Sequence, residues 1–329
     1  NLRIKYFSDF FNLKQSKTLL NLLNKKGQTL VISDGIKTID LLLLVLFARK
    51  KINLILWSLE MYNIEENSLY SELNQIFNDY KKSKGFLSLK KLVTIAYIFL
   101  NKYPRIFLIK YLNKNMITSL IVSSNLRMQF IKEKFPKLKI FVLRNSIVKS
   151  YIRSETKKNL IPNSDYIIIA GNINNFDDFL VLTKFCEKNK LKLLHCGKKD
   201  YKIIKKLVKY KNTVNFLGFI ESTAIIEMHK KALAVAVLYI KDTINQKYSA
   251  SSKLLEAIFF SNKIIVSRNT GALNELKYFS YSNFFLIDEL NKKSIKDLRE
   301  KNFHKGNLDN RCCFENECNN LYGSNLFIN

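Results

Sequence analysis

Short runs rich in β-branched residues alternate along the chain with segments of helical periodicity. Such alternation is typical of parallel sheets covered by helices on both faces, so we expect an α/β fold. The predicted strands are residues 28–33, 52–57, 117–123, 139–143, 166–170, 191–195, 213–217, 234–238, 263–267 and 284–287. The predicted helices are residues 38–50, 125–134, 176–188, 201–210, 222–231 and 252–260, followed by two closing helices.

The strands and helices form two series that are joined by the polar segment 145–164, which contains Pro162. We therefore expect two doubly wound, Rossmann-like domains that face a cleft. The predicted boundaries are 1–150 for the first domain, 151–310 for the second, and 311–329 for a closing helix that packs back toward the first. Ligands of open parallel sheets bind beyond the carboxyl ends of the strands, so candidate site residues are sought there.

The chain is strongly basic, with 55 Lys and Arg against 27 Asp and Glu and a net charge of +28. Such a chain attracts polyanions, among them nucleic acid, anionic lipid and phosphorylated small molecules. A nucleic-acid-binding protein is one alternative, but Arg is scarce beside Lys and no nucleic-acid module is recognisable. We therefore expect no nucleic acid partner.

Five cysteines at irregular spacing are typical of reduced thiols in a cytoplasmic protein. A zinc cluster of Cys312, Cys313, Cys318 and His304 is disfavoured because adjacent cysteines suit tetrahedral ligation poorly. The longest apolar runs are far shorter than a membrane span, and no stretch near the start resembles a signal peptide. We expect no metal site and no resident cofactor.

The most informative segment is residues 249–276, where a predicted helix follows Ser251 and Ser252 as candidate N-caps. Free N–H groups and the helix dipole make such an N-terminus suitable for a diphosphate. Lys253 lies in the first turn, where a cation makes sense if an anion binds nearby. Glu256 could accept two hydrogen bonds from vicinal ribose hydroxyls. A solvated Lys253 and a Glu256 that only pairs at i,i+3 remain the alternative.

The run from Lys253 to Leu276, KLLEAIFFSNKIIVSRNTGALNEL, resembles the donor-sugar signature of glycosyltransferase family 4, which has the GT-B fold. Glu275 stands one place later than the last Glu of that signature. Weaker blocks agree in order: IIAG ends at Gly171, LLHCG ends at Gly197 and FLG ends at Gly218. The closing segment, with F-E and L-Y pairs, resembles the last helix of the family.

The resemblance implies transfer of a sugar from a nucleotide-diphosphate sugar, which is a co-substrate, without a metal and with retention at the anomeric carbon. The acceptor would be a glycan or a lipid-linked glycan in surface polysaccharide synthesis. Asp34 and Glu60, which follow the first two predicted strands, are the candidates for catalytic or acceptor-side residues. The implied donor-binding residues are Gly171, Asn172, Gly197, Gly218, Phe219, Ser252, Lys253, Leu254 and Glu256.

The sequence departs from the family pattern at the phosphate and sugar positions. Tyr248 stands where many relatives have a second Glu, and Asn172 with Asp177 and Asp178 replaces an Arg and a Lys. A degenerate GT-B protein that binds a nucleotide sugar or a partner without turnover is therefore an alternative. A nucleotide-sugar epimerase shares the architecture but needs acid/base histidines, and the chain has only three. The usual first strand is not evident, so we expect a shortened first domain in which residues 2–8 form the second strand.

Residues 87–114 mix Lys and Arg with large apolar side chains. They form either an element that lies on an anionic membrane or a buried helix pair with a solvated face. If residues 87–114 lie on a membrane and the acceptor is lipid-linked, we expect the protein to be peripheral on the inner face of the cytoplasmic membrane. Among the histidines, His195 at a strand end is expected to be structural, and His229 and His304 are expected on the surface.

Overall fold

The computed structural model describes residues 29–33, 53–58, 117–144, 147, 165–173, 175–239, 247–248, 251–261, 263–292, 295–300 and 313–323. The chain divides into two compact units, one of Asn1–Val142 with Tyr322–Asn329 and one of Leu143–Leu321. Several predictions lie outside the described residues: the strand at 2–8, the helix at 38–50, the segment 87–114, most of the segment 145–164, Asp34, Glu60, His304 and Cys312.

The first unit contains a parallel sheet of four described strands in the order β1-β2-β3-β4. These strands are β1 (Thr29–Ser33), β2 (Asn53–Ser58), β3 (Ile117–Val122) and β4 (Lys139–Val142). Helix α1 (Asn125–Lys134) connects β3 to β4 and is capped by Ser124, whose side chain accepts from the Arg127 N–H at 3.2 Å. All four strands and this helix match the predictions to within a residue or two.

The second unit contains a six-stranded, fully parallel sheet in the order β10-β9-β8-β5-β6-β7. The strands are β5 (Tyr166–Ala170), β6 (Lys192–Cys196), β7 (Val214–Gly218), β8 (Ala234–Val237), β9 (Ile264–Val266) and β10 (Phe284–Leu286). Within the unit this is the doubly wound order 3-2-1-4-5-6. The chain direction around the sheet reverses between β5 and β8, and that switch point is where such sheets bind ligands.

Successive residues of the central strands pack into two different cores, one on each face of this sheet. Ile167, Ile169 and Ala236 contribute to one core, and Ile168 and Val235 contribute to the other. Because both faces are buried, the central strands consist almost entirely of apolar residues. Because of this apolar composition, these strands could be predicted from the sequence.

Helices cover both faces of the second sheet. The described helices are α2 (Phe176–Lys188), α3 (Tyr201–Lys206), α4 (Ser222–Lys231), α5 (Ser252–Phe260), α6 (Thr270–Tyr278), α7 (Ile295–Arg299) and α8 (Phe314–Gly323). Residues from α2, α3 and α7 border the first core, and residues from α4, α5 and α6 form part of the second. Short 3₁₀ helices occur at Val208–Tyr210 and Ile287–Lys292.

Two elements differ from the sequence predictions. The predicted helix 201–210 is broken at Leu207, after which a 3₁₀ turn carries Tyr210 into the core, where it is 5% exposed. Helix α6 was not predicted, because Gly271 near its start obscures the helical pattern. Its N-cap Asn269 accepts from the Ala272 N–H at 3.1 Å.

A buried ionic cluster fixes the start of the second unit to two of its helices. The Arg144 guanidinium lies 3.1 Å from the Glu275 carboxylate of α6 and 3.3 Å from the Glu317 carboxylate of α8. It also lies 3.8 Å from the centre of the Tyr278 ring, and the Arg144 N–H donates to Glu317. We call these four residues the Arg144 cluster. Burial raises the pKa of Glu275, and the charge of Arg144 opposes that increase.

Candidate functional site

Three of the predicted glycines lie side by side at the carboxyl ends of β5, β6 and β7. The Gly171 N–H donates to the Cys196 carbonyl at 2.8 Å, and the Gly197 N–H donates to the Gly218 carbonyl at 2.8 Å. The parallel hydrogen-bond ladder therefore continues one residue beyond the strands. We call Gly171, Gly197 and Gly218 the glycine edge.

The glycine edge requires glycine for two reasons. A Cβ at Gly197 would lie 2.2 Å from the Gly171 carbonyl oxygen, a distance that no side chain tolerates. Gly171 and Gly218 have φ of 105° and 84°, which residues with a side chain rarely adopt. The backbone is therefore close-packed and bare at the edge where ligands of this fold bind.

His195 supports the glycine edge from within the core. Its side chain is fully buried, and Nε2 lies 2.8 Å from the Gly171 carbonyl oxygen. A carbonyl can only accept, so Nε2 carries the proton in this hydrogen bond. Burial lowers the pKa of His195, and the bond to Gly171 opposes that decrease. The prediction of a structural role for His195 is confirmed.

Asp178, one of the two acidic residues that depart from the signature the sequence resembles, helps to hold the loop after β8. Its carboxylate accepts from the Ser267 hydroxyl at 2.5 Å, and that hydroxyl in turn accepts from the Tyr239 N–H at 3.0 Å. Asn175, the N-cap of α2, donates to the Tyr239 carbonyl at 2.8 Å. These contacts were not predicted from the sequence, although Asn before a helical pattern is a recognisable N-cap signal.

Helix α5 begins on the other side of the switch point, as predicted. Its N-cap is Ser251, whose hydroxyl accepts from the Lys253 N–H at 3.2 Å. The Ser251 carbonyl accepts from the Leu254 N–H at 3.0 Å. The resemblance implies the N–H groups of Ser252, Lys253 and Leu254 for the diphosphate. The last two thus have partners within the helix start, and a bound anion would have to share or replace them.

Lys253 and Glu256 form an ion pair on the first turn of α5. The Lys253 ammonium lies 2.9 Å from both carboxylate oxygens of Glu256. The side chains are 34% and 21% exposed, so solvent and a ligand can reach both. The sequence left open whether Glu256 binds a ribose or pairs at i,i+3, and the structure contains the pair.

The prediction that His229 lies on the surface is wrong. The side chain of His229, on α4, is fully buried, and within the described residues neither ring nitrogen has a hydrogen-bond partner. Burial, with the positive charge of Lys253 as a second cause, lowers its pKa to about 4. The Lys-rich sequence around His229 concealed that Ile225, Ile226 and His229 share the inner face of the helix.

The remaining candidates are placed as follows. Asn172 is exposed directly after the glycine edge, and Phe219 is 85% exposed after Gly218. Ser252 is the first residue of α5 and is partly exposed. In the described parts of the chain, no group of three or more His, Cys, Asp or Glu side chains could hold a metal ion. None of the helices in those parts is long and apolar enough to cross a membrane.

Comparison with known proteins supports the architecture. No protein-family model and no curated protein matches the chain. Among solved structures, HepE of Anabaena in complex with UDP aligns at a TM-score of 0.59 with 12% identity over 94% of this chain and 80% of HepE. HepE with UDP and glucose aligns at 0.57 with 12% identity over 97% and 83%.

A third neighbour is a TarM variant from S. aureus in complex with fondaparinux, α-GlcNAc-glycerol and UDP. It aligns at a TM-score of 0.53 with 13% identity over 85% of this chain and 52% of TarM. These likenesses show the fold: the chain has the GT-B fold of glycosyltransferases, and the predicted fold class is confirmed. They do not distinguish family 4 from other GT-B glycosyltransferases.

Proposed function

We propose that the chain is a glycosyltransferase whose second unit binds a nucleotide-diphosphate sugar. The observation that carries the proposal is the placement of a bare glycine edge and the α5 N-terminus on either side of the switch point of a doubly wound sheet. Parallel sheets bind ligands there, and a helix N-terminus favours a diphosphate. Two solved neighbours of the same fold, HepE and TarM, were determined with UDP bound.

In this proposal Glu256 and Lys253 change partners when the donor binds. The Glu256 carboxylate accepts hydrogen bonds from the ribose hydroxyls, and the Lys253 ammonium turns to the diphosphate. Gly171, Asn172, Gly197 and Ser252 line the phosphate and sugar side. Gly218 and Phe219 lie on the base side, where an exposed aromatic ring offers a flat apolar surface. Positive charge at the departing diphosphate would lower the barrier to transfer.

The reaction is proposed to be retaining and metal-independent, with a glycan or lipid-linked acceptor in polysaccharide synthesis. Asp34 and Glu60 remain the proposed acceptor-side residues. Binding without turnover is a second candidate, because Asn172, Asp177 and Asp178 replace the Arg and Lys that the family resemblance implies for the phosphates. An assay of radiolabelled sugar transfer, with and without a chelator, separates the two candidates, since only the first gives product.

Thermal unfolding with a panel of nucleotides, beginning with UDP and UDP-glucose, tests the donor site. A ligand at about 100 times its Kd stabilises the fold by about 2.7 kcal/mol, which raises Tm by several degrees. Glu256→Gln should lose this shift. Glu227→Gln is the matched control, because Glu227 forms an i,i+3 ion pair with Lys230 on α4. No shift with any nucleotide, or an equal loss in both variants, would contradict the proposal.

A further inference from the structure

Helix α3 and the 3₁₀ turn after it present an unusually basic surface on the second unit. The segment 198–211 contains seven lysines, one acidic residue and no arginine. All seven lysines are exposed. Within the described residues, none of them forms an ion pair with a carboxylate. Lysine makes up half of this segment, far above its share of the chain, so compositional bias alone does not account for it.

The same surface exposes two apolar side chains. Tyr201 is 75% exposed and Val208 is 61% exposed. Tyr201 and Lys205 have the spacing i and i+4 on α3, which places them on one side of that helix, and Val208 begins the 3₁₀ turn that follows. Leu207 and Tyr210 of the same segment are buried in the core, so Tyr201 and Val208 are the apolar side chains that the segment exposes. The exposed surface of this segment therefore combines positively charged lysines with two apolar side chains.

We propose that this surface, comprising Tyr201, Lys202, Lys205, Val208 and Lys209, docks on an anionic lipid membrane. Clustered lysines are attracted to anionic headgroups, and Tyr and Val can enter the headgroup boundary while the helix lies flat. A nucleic acid would also attract the lysines. It would not explain the outward valine, and the segment contains no arginine for base or phosphate readout.

The surface differs from the segment 87–114 that the sequence singled out, and it belongs to the unit that carries the proposed donor site. Its residues, which begin at Tyr201, are not among the residues proposed to bind the donor. The inference does not depend on glycosyl transfer, since lipid binding can be measured without a nucleotide or an acceptor.

Co-sedimentation of the full chain with vesicles tests the inference. The protein should bind vesicles of phosphatidylcholine with phosphatidylglycerol, and should bind pure phosphatidylcholine weakly. Each lysine at an anionic surface contributes about a fivefold gain in affinity, so Lys202→Gln/Lys205→Gln/Lys209→Gln should bind on the order of 100-fold more weakly. Tyr201→Ser/Val208→Ser should lose the part of the binding that resists added salt.

The matched control is Lys184→Gln/Lys188→Gln/Lys277→Gln, which removes the same charge from exposed positions on α2 and α6. It should keep most of the vesicle affinity. The inference is overturned if both triple variants bind equally well, or if the full chain does not bind anionic vesicles. It is also overturned if the first triple variant instead loses affinity for duplex DNA of mixed sequence, while vesicle binding is unchanged.

Discussion

The Arg144 cluster and the Lys253–Glu256 pair are both ionic, but water reaches them to different extents. In the cluster, the side chains of Arg144 and Glu275 are 5% and 1% exposed. In the pair, Lys253 and Glu256 are 34% and 21% exposed. A buried charge cannot lose its partner without a large penalty, whereas a hydrated charge can exchange one partner for another.

The difference in exposure suits the two sets of charges to different roles, stabilisation of the fold for the Arg144 cluster and ligand binding, as proposed, for the Lys253–Glu256 pair. The Arg144 cluster ties together three segments distant in the sequence, and any ligand that displaced one of its members would leave a charge unpaired. The Lys253–Glu256 pair involves two residues on the first turn of α5, where the donor is proposed to bind. It can open to a diphosphate and a ribose at little cost, which a donor site requires.

The largest effect is expected from Arg144→Met. The substitution removes the cation that contacts the buried carboxylates of Glu275 and Glu317, and removing one partner of a buried ion pair costs about 3–5 kcal/mol. Urea unfolding followed by circular dichroism measures the loss. Arg268→Met is the matched control, because Arg268 also contacts two carboxylates but is 55% exposed, and it should cost less than about 1 kcal/mol.

The destabilisation by Arg144→Met should also depend on pH. Burial already raises the pKa of Glu275, and without Arg144 nothing in the cluster opposes that increase. The folded variant then binds more protons than the unfolded chain, so its stability rises as the pH falls from about 7 to about 5. A loss of stability that stays constant over this range would show that the carboxylates are already neutral or hydrated.

Gly197→Ala is expected to have the next largest effect on stability. A loss of that size would show that the backbone of the glycine edge tolerates change as poorly as the Arg144 cluster. The new Cβ would lie 2.2 Å from the Gly171 carbonyl oxygen. Overpacking against backbone should cost about 3 kcal/mol, the upper end of the usual range. Gly171→Ala meets no atom within 4 Å and strains only its φ, so it should cost about 1–2 kcal/mol. Thermal unfolding of both variants gives the order, and the reverse order would contradict the close approach.

The sequence predicted the parts of this unit that depend on local pattern. Apolar strands buried on both faces, such as β8, and the serine cap of α5 are visible without a structure. Contacts between distant segments are not visible, and these include Arg144 with Glu275 and Asp178 with Ser267. His229 was misplaced because the neighbouring lysines suggested an exposed position, whereas Lys230 is itself buried and pairs with Glu227.

A smaller effect is expected from His229→Leu, which removes the buried imidazole beside Lys253. The pKa of His229 in the fold is about 4, below its ordinary value of 6.5. Between these values the unfolded chain binds more protons, so the wild type loses stability as the pH falls from about 6.5. The variant lacks this loss and should gain about 2 kcal/mol relative to wild type on going from about pH 7 to about pH 5. Equal pH profiles in urea unfolding would contradict a neutral, buried His229.

The smallest effect on stability is expected from Glu256→Gln in the absence of nucleotide. The pair is partly hydrated, so breaking it should cost less than about 1 kcal/mol, and Lys253→Gln should cost about the same. A double-mutant cycle measured by urea unfolding gives the coupling between the two side chains. If Glu256→Gln alone costs as much as Arg144→Met, the carboxylate is a structural partner of Lys253 and is not available to a ribose. A weak coupling combined with a lost UDP shift is the result that a site built for exchange of partners requires, because only a pair that separates easily can serve two different ligand groups.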